Sequence, residues 1–454
     1  MPFLLKDTKN LTPEKICEYI KLHRIAQSER YQRLKDYYEG RHDILLREPK
    51  READPCNNVV CNFAKYISDF AAGYLIGEPI SYQSDTENID DLIEWFKKSQ
   101  TDVQDMDNAK YQSIYGVAYE LVYMSSDDSP TPKTASIQPS QAFVIYNSTV
   151  ELKPVAGVYY YEKHDPVTQL INGYAVEAST DKEYIRFEVT KDYTIDGEVI
   201  RESNPFGAVT LIEIYNNNEM QGDFEQEISL IDAYNCQQSN RVDDVENFVN
   251  SLMVLTGQTL GYDQKEKNET YRAIKENGVI ELSPESSLSF LTRQIDQSGN
   301  EVLRQSIADD IHKFSCVPSM TDKDFASNVS GVAMQYKLLG LNQIIKIKER
   351  YIKEGIRERI QLFNAILAIK GKKPVDIDNI TITITHSLPK NLVEIAQVIG
   401  TLQGIASAET LLAQLPFVED PEQEAEKAAE ERKAAMDERF VMSAPDVVND
   451  DEQE

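Results

Sequence analysis

Few side chains in this sequence are arranged in a way that could perform chemistry. Two adjacent carboxylate pairs, Asp243-Asp244 and Asp309-Asp310, could in principle hold a metal for nuclease chemistry. Neighbouring residues of a helix point about 100° apart and rarely share one ion, so we interpret the pairs as solvated helix faces. The segment from Asp192 to Ser203 is similar to a calcium loop, but Ser203 stands where a bidentate glutamate is needed. A hairpin turn at Asp196-Gly197 explains this segment better.

Motifs for nucleophiles, phosphates and zinc are also missing from the sequence. It contains no GxxxxGK[ST] phosphate loop, no HExxH pair and no glycine-flanked nucleophile motif. Five histidines and five cysteines are scattered along the chain without CxxC spacing, and we interpret the cysteines as reduced thiols. The sequence therefore predicts a protein that is not an enzyme and that holds no cofactor and no metal. A metal-dependent DNA-processing enzyme built on clustered carboxylates stays open as an alternative.

Composition and charge restrict the possible partners. The chain has 454 residues, 41% of them hydrophobic, which is enough for a sizeable core and two or more domains. Its 47 basic and 76 acidic residues give a net charge of -29, so contact with nucleic acid must be local or weak. No apolar run approaches the roughly 18 residues of a membrane span, and the N-terminus is too polar for a secretion signal. We expect no membrane partner and a protein made in a cytoplasm.

The first half of the sequence predicts helices followed by an antiparallel sheet. Thr12 and Pro13 are typical of a helix start, and this helix should reach about Tyr38. Apolar residues at three- and four-residue spacing predict a second helix from Asn57 to about Leu75. Between about Gly116 and Tyr215 the period changes to two. Turns are predicted there at the dipeptides Asp165-Pro166, Asn172-Gly173 and Asp196-Gly197.

In the second half, two predicted helices bracket a small insert. The first spans about Ile228 to Leu255, with a stripe of Val242, Val245, Val249 and Leu252, and the second starts near Glu301. The insert should contain a helix at Gln264 to Asn277 and strands at Val279 to Leu282 and Leu288 to Thr292. After a polar stretch, a long helix from about Val332 to Ile369 is predicted, with kinks at Gly340 and Gly355. A strand at 380–389 and two helices, Leu392 to Ile405 and Ala408 to Leu415, follow.

The long helix is the exception to the acidity of the chain. From Val332 to Lys373 it carries ten bases and three acids, an excess of seven positive charges. Helical spacing places Lys346, Arg350, Lys353 and Arg357 in one basic stripe. The stripe either faces DNA or the acidic surface of a neighbouring subunit, or it is a solvated face with helix ion pairs.

Three strings of the sequence resemble a known family. They are NVVCNFAKYISDFAAGYLIGEPISY (58–82), SNVSGVAMQYKLLGL (327–341) and SLPKNLVEIAQVIGTLQGIASAETLLAQLPFVEDPEQE (387–424). In this order they resemble the portal proteins of tailed bacteriophages, the head-to-tail connectors, in the subfamily common in phages of Gram-positive bacteria. The resemblance implies an α+β multidomain portal fold that is mainly helical, with an antiparallel β-rich wing, a two-helix stem, a small α/β clip, a long kinked helix and a helical crown.

The resemblance also gives names to the segments of the chain. The implied parts are a wing (1–227), stem helix 1 (228–256), a clip (257–300), stem helix 2 (301–320), a tunnel loop (321–331), the long helix with a returning wing strand (332–390), a crown (391–440) and a disordered acidic tail (441–454). In the tunnel loop, six small, polar or charged residues are the candidate DNA-channel residues: Thr321, Asp322, Lys323, Asp324, Ser327 and Asn328.

The function implied by the resemblance is that of a conduit. The family forms a ring, usually a dodecamer, at one capsid vertex of the virion, and double-stranded DNA passes through it non-specifically during packaging and ejection. The implied partners are the terminase large subunit, the head completion or adaptor protein, and the major capsid and scaffold proteins. An acidic ring suits this function, because it repels the duplex and keeps friction low. A capsid coat or scaffold protein, which also assembles without chemistry, is the other alternative.

Overall fold

A computed structural model of the chain describes residues 3–6, 11–52, 54–249, 252–257, 263–277, 284–291, 297–320, 336–386, 392–412, 415, 418, 421 and 424–430. The chain divides into two compact units, one of residues 1–319 with 340–387 and the other of residues 320–339 with 388–454. Both helices and sheets occur in the described residues, as the sequence predicts.

Ten helices lie in the described part of the chain. They are α1 (Pro13–Tyr38), α2 (Phe63–Leu75), α3 (Asp90–Ser99), α4 (Thr101–Tyr115), α5 (Ile228–Val249), α6 (Gln264–Asn277), α7 (Gln297–Ser315), α8 (Leu339–Ile369), α9 (Leu392–Leu402) and α10 (Ala408–Leu412). The first eight, apart from the first residue of α8, belong to the larger unit, and α9 and α10 belong to the smaller one.

Thirteen strands form four sheets in the same residues. The strands are β1 (Phe3–Leu5), β2 (Ser81–Gln83), β3 (Val117–Met124), β4 (Pro132–Ile137), β5 (Ala142–Asn147), β6 (Pro154–His164), β7 (Ile171–Ser179), β8 (Glu183–Thr190), β9 (Ile195–Ser203), β10 (Leu211–Tyr215), β11 (Leu252–Thr256), β12 (Ser287–Leu291) and β13 (Thr381–Thr383). The sheet orders are β1-β5-β6-β7-β8-β9, β10-β3-β4, β11-β12 and β13-β2.

The six-stranded sheet and α1 enclose the main apolar core. Ile16 and Ile20 of α1 are buried against inward-facing residues of the sheet, such as Phe143, Val158 and Phe187. All strand pairs in this sheet are antiparallel except β1, which pairs in parallel with β5. The predicted start of α1 is confirmed, because the Thr12 side chain accepts a hydrogen bond from the Lys15 N–H.

Two of the three predicted hairpin turns are wrong. The turn at Asp165-Pro166 is confirmed, since the β6–β7 loop closes there. Asn172-Gly173 lies inside β7 instead, where a Cβ on Gly173 would meet the Val189 carbonyl oxygen at 2.3 Å. Asp196-Gly197 lies inside β9, next to a register shift between β8 and β9, and the turn is at 191–194. Glycine marks a close backbone approach and a bulge here rather than a turn.

Helix α2 begins later than its apolar spacing predicts. Residues 57–62 are not helical, and Asn62 caps the helix by accepting from the Lys65 N–H. Side chains of α5 bind the backbone of this preceding segment, and their hydrogen bonds compete with helix formation.

The predicted elements of the insert are partly confirmed. Helix α6 has the predicted bounds, but α5 ends at Val249, and Leu252–Thr256, predicted as helix, forms strand β11. This strand pairs with β12, in the region of the predicted strand at Leu288 to Thr292. The other predicted strand, Val279 to Leu282, lies outside the described residues.

Helix α8 is continuous through Gly355. This glycine packs against β10, where an added Cβ would lie 2.8 Å from Ile214 Cγ1. The glycine thus allows a close approach of helix and sheet, and a kink at this position stays a prediction. The start of the long helix predicted at 332–335 is outside the described residues. The predicted returning strand is confirmed in a shorter form as β13, paired with β2.

Candidate functional site

Helix α5 precedes the insert and α7 follows it, and the two helices lie side by side as a helical hairpin. Polar contacts join them along part of their length: Arg304 donates to the Tyr234 hydroxyl at 2.9 Å, and Arg241 pairs with Glu301 at 3.0 Å. Ile231 and Ile311 are buried. We call α5 and α7 together the helical hairpin.

Part of the buried face of α5 is polar. Asn235, Ser239 and Asp243 follow one another at four-residue spacing, and each is 6% exposed or less. Their side-chain oxygens accept hydrogen bonds from backbone N–H groups of the segment 57–61. We call this set of three hydrogen bonds the polar ladder. This ladder is not predicted from the sequence, although the four-residue repeat of small polar residues is visible there.

The predicted apolar stripe of α5 is exposed at both positions whose burial the structure describes. Val242 and Val245 are exposed, Val245 to 58%, and Val249 and Leu252 have no described burial. On α7, Leu303 and Phe314 are also exposed, whereas Ile311 is buried. The apolar stripe of α5 therefore does not coincide with its buried face, because the polar ladder lies on the inner side of the helix. The helical hairpin thus leaves several apolar side chains in solvent.

The basic stripe of α8 is partly paired within the chain. Lys353 pairs with Glu349 at 2.7 Å, and Arg357 pairs with the exposed Asp378 at 3.5 Å. Lys346 and Arg350 are exposed, and neither has an acidic oxygen within 4.0 Å in the part of the chain that the structure describes. The two exposed and unpaired bases are thus the members of the stripe that are available to an outside anion.

Two other bases of α8 are buried and point into the larger unit. Lys348 pairs with Asp223, whose carboxylate also accepts from Ser113 and from Asn216. These contacts hold the segment before α5 against α4 and α8. The sequence analysis did not separate Lys348 from the exposed bases of the helix.

Arg359 forms the second buried cluster. Its guanidinium donates to both carboxylate oxygens of Glu120 at 2.6 Å and also to Asp105, and all three side chains are at most 4% exposed. Burial raises the pKa of the Asp105 carboxyl, although Arg359 opposes the shift. This cluster ties α8 to α4 and β3 and has no access to DNA.

The remaining candidate residues are those of the tunnel loop and the carboxylate pairs. All six tunnel-loop candidates, Thr321, Asp322, Lys323, Asp324, Ser327 and Asn328, lie outside the described residues. Asp243 binds the 57–61 segment and Arg47 at 3.0 Å, so it is committed to structure. No group of three or more His, Cys, Asp or Glu side chains in the described ranges could hold a metal.

Comparisons with known proteins agree on one family. The family model described as "Phage portal protein, SPP1 Gp6-like" matches residues 17–438. The "Portal protein" of Bacillus phage SPP1 is 25% identical over 451 residues, which cover 92% of this chain and 84% of that protein.

In the described part, no helix has the length and apolar character needed to cross a bilayer.

Two solved structures match the chain at low identity. The "Neck of empty GTA particle computed with C6 symmetry" is 12% identical, with a TM-score of 0.47, over 77% of this chain and 89% of that one. The "Neck of native GTA particle computed with C12 symmetry" is 10% identical, with a TM-score of 0.46, over 78% and 89%. The family model alone covers most of the sequence, so the chain belongs to the phage portal protein family, SPP1 Gp6-like.

Proposed function

We propose that the chain assembles through its helical hairpin into a closed ring of about twelve subunits at one capsid vertex. Double-stranded DNA passes through the centre of this ring during packaging and ejection. Membership of the portal family supports the role at the capsid vertex. The observation that carries the assembly step is the exposed apolar surface of the hairpin, whose inner face is polar.

The ring also serves as a docking platform in this proposal. The terminase large subunit binds during packaging and the head completion or adaptor protein binds afterwards, both at the insert between α5 and α7. The major capsid and scaffold proteins surround the ring during assembly in the host cytoplasm. Support for these partners comes from the family resemblance alone, and the insert helix α6, with its exposed charged residues, is the described part that would meet them.

The assembly step can be tested with one charged substitution on the hairpin. Val245→Glu places a carboxylate on the proposed contact, and we expect monomers or small assemblies in native mass spectrometry instead of rings. Val150→Glu is the matched control, because Val150 is 102% exposed in the loop between β5 and β6. Rings from the Val245 variant as abundant as those from the control would show that the hairpin is not the contact.

For the DNA channel, we propose that the basic stripe steadies the duplex. Lys346 and Arg350 lack acidic partners within the described residues and can approach phosphates, whereas Lys353 and Arg357 already neutralise Glu349 and Asp378. A neighbouring acidic subunit surface is the other possible contact of the same two bases. Either contact is weakened by salt, because both are electrostatic.

The stripe is tested with a double variant, Lys346→Gln with Arg350→Gln. If these bases face DNA, packaging into proheads falls while rings still form; if they face a neighbour, rings dissociate at lower salt. The control is Lys182→Gln with Lys191→Gln, which removes the same charge from exposed lysines near the β-hairpin ends of the wing. Unchanged packaging and unchanged ring stability in the stripe variant would remove it from the function.

The tunnel loop remains part of the proposal through its six candidate residues in 321–331. Shortening this loop should leave ring assembly intact and cripple DNA packaging, because a small polar loop beside a passing duplex acts on translocation and not on the subunit contacts. Filling of proheads with DNA at the normal level by such a variant would refute this role.

A further inference from the structure

The polar ladder joins the segment 57–61 to α5. The spacing of the donors along the segment matches the spacing of the acceptors along the helix. Backbone N–H groups of Asn57, Val59 and Cys61, every second residue of the non-helical segment before α2, donate to the side chains of α5 at 2.7, 3.0 and 2.8 Å. Two extended residues advance by about 6.6 Å. Four helical residues advance by about 6 Å. Three donors therefore meet three acceptors in register.

The acceptors run in the opposite direction to the donors. Asn57 bonds to Asp243, Val59 to Ser239 and Cys61 to Asn235, so the ladder is antiparallel and spans eight residues of α5. Eight helical residues correspond to about 12 Å of helix length. The hairpin is thus held against the body at several points along its axis.

Further hydrogen bonds fix both ends of the ladder. At one end, Asp243 also accepts from the Asn57 side chain at 2.9 Å and pairs with Arg47. At the other end, the Asn235 side chain contacts Nδ1 of the buried His42 at 2.8 Å. Hydrogen bonds are directional, so they fix the rotation and tilt of α5 more closely than apolar contacts can.

The tilt of the hairpin matters because ring closure depends on a small angle. Neighbouring subunits are rotated by about 30° in a ring of twelve and by about 28° in a ring of thirteen, a difference of about 2°. A shift of about 0.5 Å at one end of a 12 Å ladder tilts the helix by about 2°. A displacement of this size at one end of the ladder therefore corresponds to the angle that separates two ring sizes.

We propose that the polar ladder fixes the number of subunits in the ring by setting the angle at which the helical hairpin leaves the body. Asn235, Ser239 and Asp243 act as positioning residues, since they bind the subunit's own backbone and leave the exposed valines of α5 for the neighbour. This inference rests on the proposed function, in which the hairpin is the contact between subunits.

The test measures subunit number by native mass spectrometry of purified full-length rings. We expect one subunit number from the unsubstituted chain and at least two neighbouring numbers from Asn235→Ala with Ser239→Ala, with the principal ring reduced roughly twofold or more. Asn57→Ala is the milder variant in case the double variant does not fold, because it removes only side-chain bonds at one end of the ladder. It should also broaden the distribution.

Two controls separate positioning from simple loss of stability. Ser229→Ala removes an exposed hydroxyl from the same helix, and Val176→Ala weakens the core of the six-stranded sheet, so neither should change the subunit number. A single, unchanged ring size in both ladder variants overturns the inference, and so does equal broadening in the Val176 variant. Failure of the unsubstituted chain to form any ring overturns the proposed function and this inference with it.

Discussion

Removing Arg359, one of the two buried cations of α8, tests whether this helix is anchored by charge. Arg359→Met keeps much of the side-chain volume but leaves Asp105 and Glu120 buried without their cation. Arg359 is only 1% exposed, so water cannot replace it. Breaking a buried ion pair by removing one partner costs about 3–5 kcal/mol, and we expect a loss of unfolding free energy in this range at pH 8.

The chain contains its own reporter for this measurement. Trp95 is the only tryptophan of the sequence, it is buried, and its ring lies 6.4 Å from that of Phe363, one turn beyond Arg359 on α8. Urea unfolding followed by its fluorescence therefore reports on the interface around the cluster. The m value serves as a check that each variant unfolds in the same transition.

Neutral substitution of the carboxylates should restore stability. Adding Asp105→Asn and Glu120→Gln to Arg359→Met removes the uncompensated charges, and we expect recovery of about half the loss or more. The loss from Arg359→Met alone should also shrink toward pH 5, since burial raises the pKa of the Asp105 carboxyl and a protonated acid no longer needs a cation.

The matched control is an exposed base on the same helix. Arg357→Met removes a cation whose partner, Asp378, is itself exposed, so a change within about 0.5 kcal/mol is expected. A loss below about 1 kcal/mol for the Arg359 variant, or a loss that is equally large at pH 5 and pH 8, would refute the reasoning.

Two further predictions concern stability, and both are read from urea midpoints. Gly355→Ala should destabilise by about 1–2 kcal/mol, because the new Cβ would lie 2.8 Å from Ile214 Cγ1, whereas Gly73→Ala, with no heavy atom within 4 Å, should stabilise α2 by about 0.5–1 kcal/mol. Burial, assisted by Asp223, raises the pKa of Glu227 from 4.5 to about 7, so its favourable contribution is complete below pH 4.5 and lost as pH rises to about 7. Glu227→Gln should remove this slope and stabilise by up to about 3 kcal/mol at pH 8. Equal effects of Gly355→Ala and Gly73→Ala on the urea midpoint would contradict the first expectation. An unchanged dependence of the unfolding free energy on pH in Glu227→Gln would contradict the second.

The sequence was sufficient for elements whose signals are local. The cap at Thr12 and the bounds of α6 are confirmed, because capping and helix-forming residues act over a few positions. The family was also predicted correctly from three ordered strings. Glycine signals failed at Gly173 and Gly197, since a glycine that admits a neighbouring strand has the same sequence pattern as a turn.

Long-range partners explain the errors at the candidate site. The apolar periodicity of α5 does not reveal which face is buried, because the segment 57–61 supplies backbone donors that favour polar residues on the inner side. Val59 of that segment is 180 residues away from Ser239 in the chain. Nothing in the local sequence of α8 separates Arg359, which is buried, from Arg357, which is exposed. The acids that make this distinction lie on α4 and β3.

The pairing of α8 changes the meaning of its positive charge. In the described residues, six of the ten bases counted from Val332 to Lys373 have an acidic partner within the chain: Lys348, Lys353, Arg357, Arg359, Lys372 and Lys373. Most of the seven excess positive charges are therefore balanced by acids of other elements. These ion pairs hold the helix in place. Of the basic stripe, Lys346 and Arg350 have no acidic partner in the described residues. In the proposed DNA channel, these two cations per subunit provide contacts that are weak, evenly spaced and independent of sequence, as a sliding duplex requires.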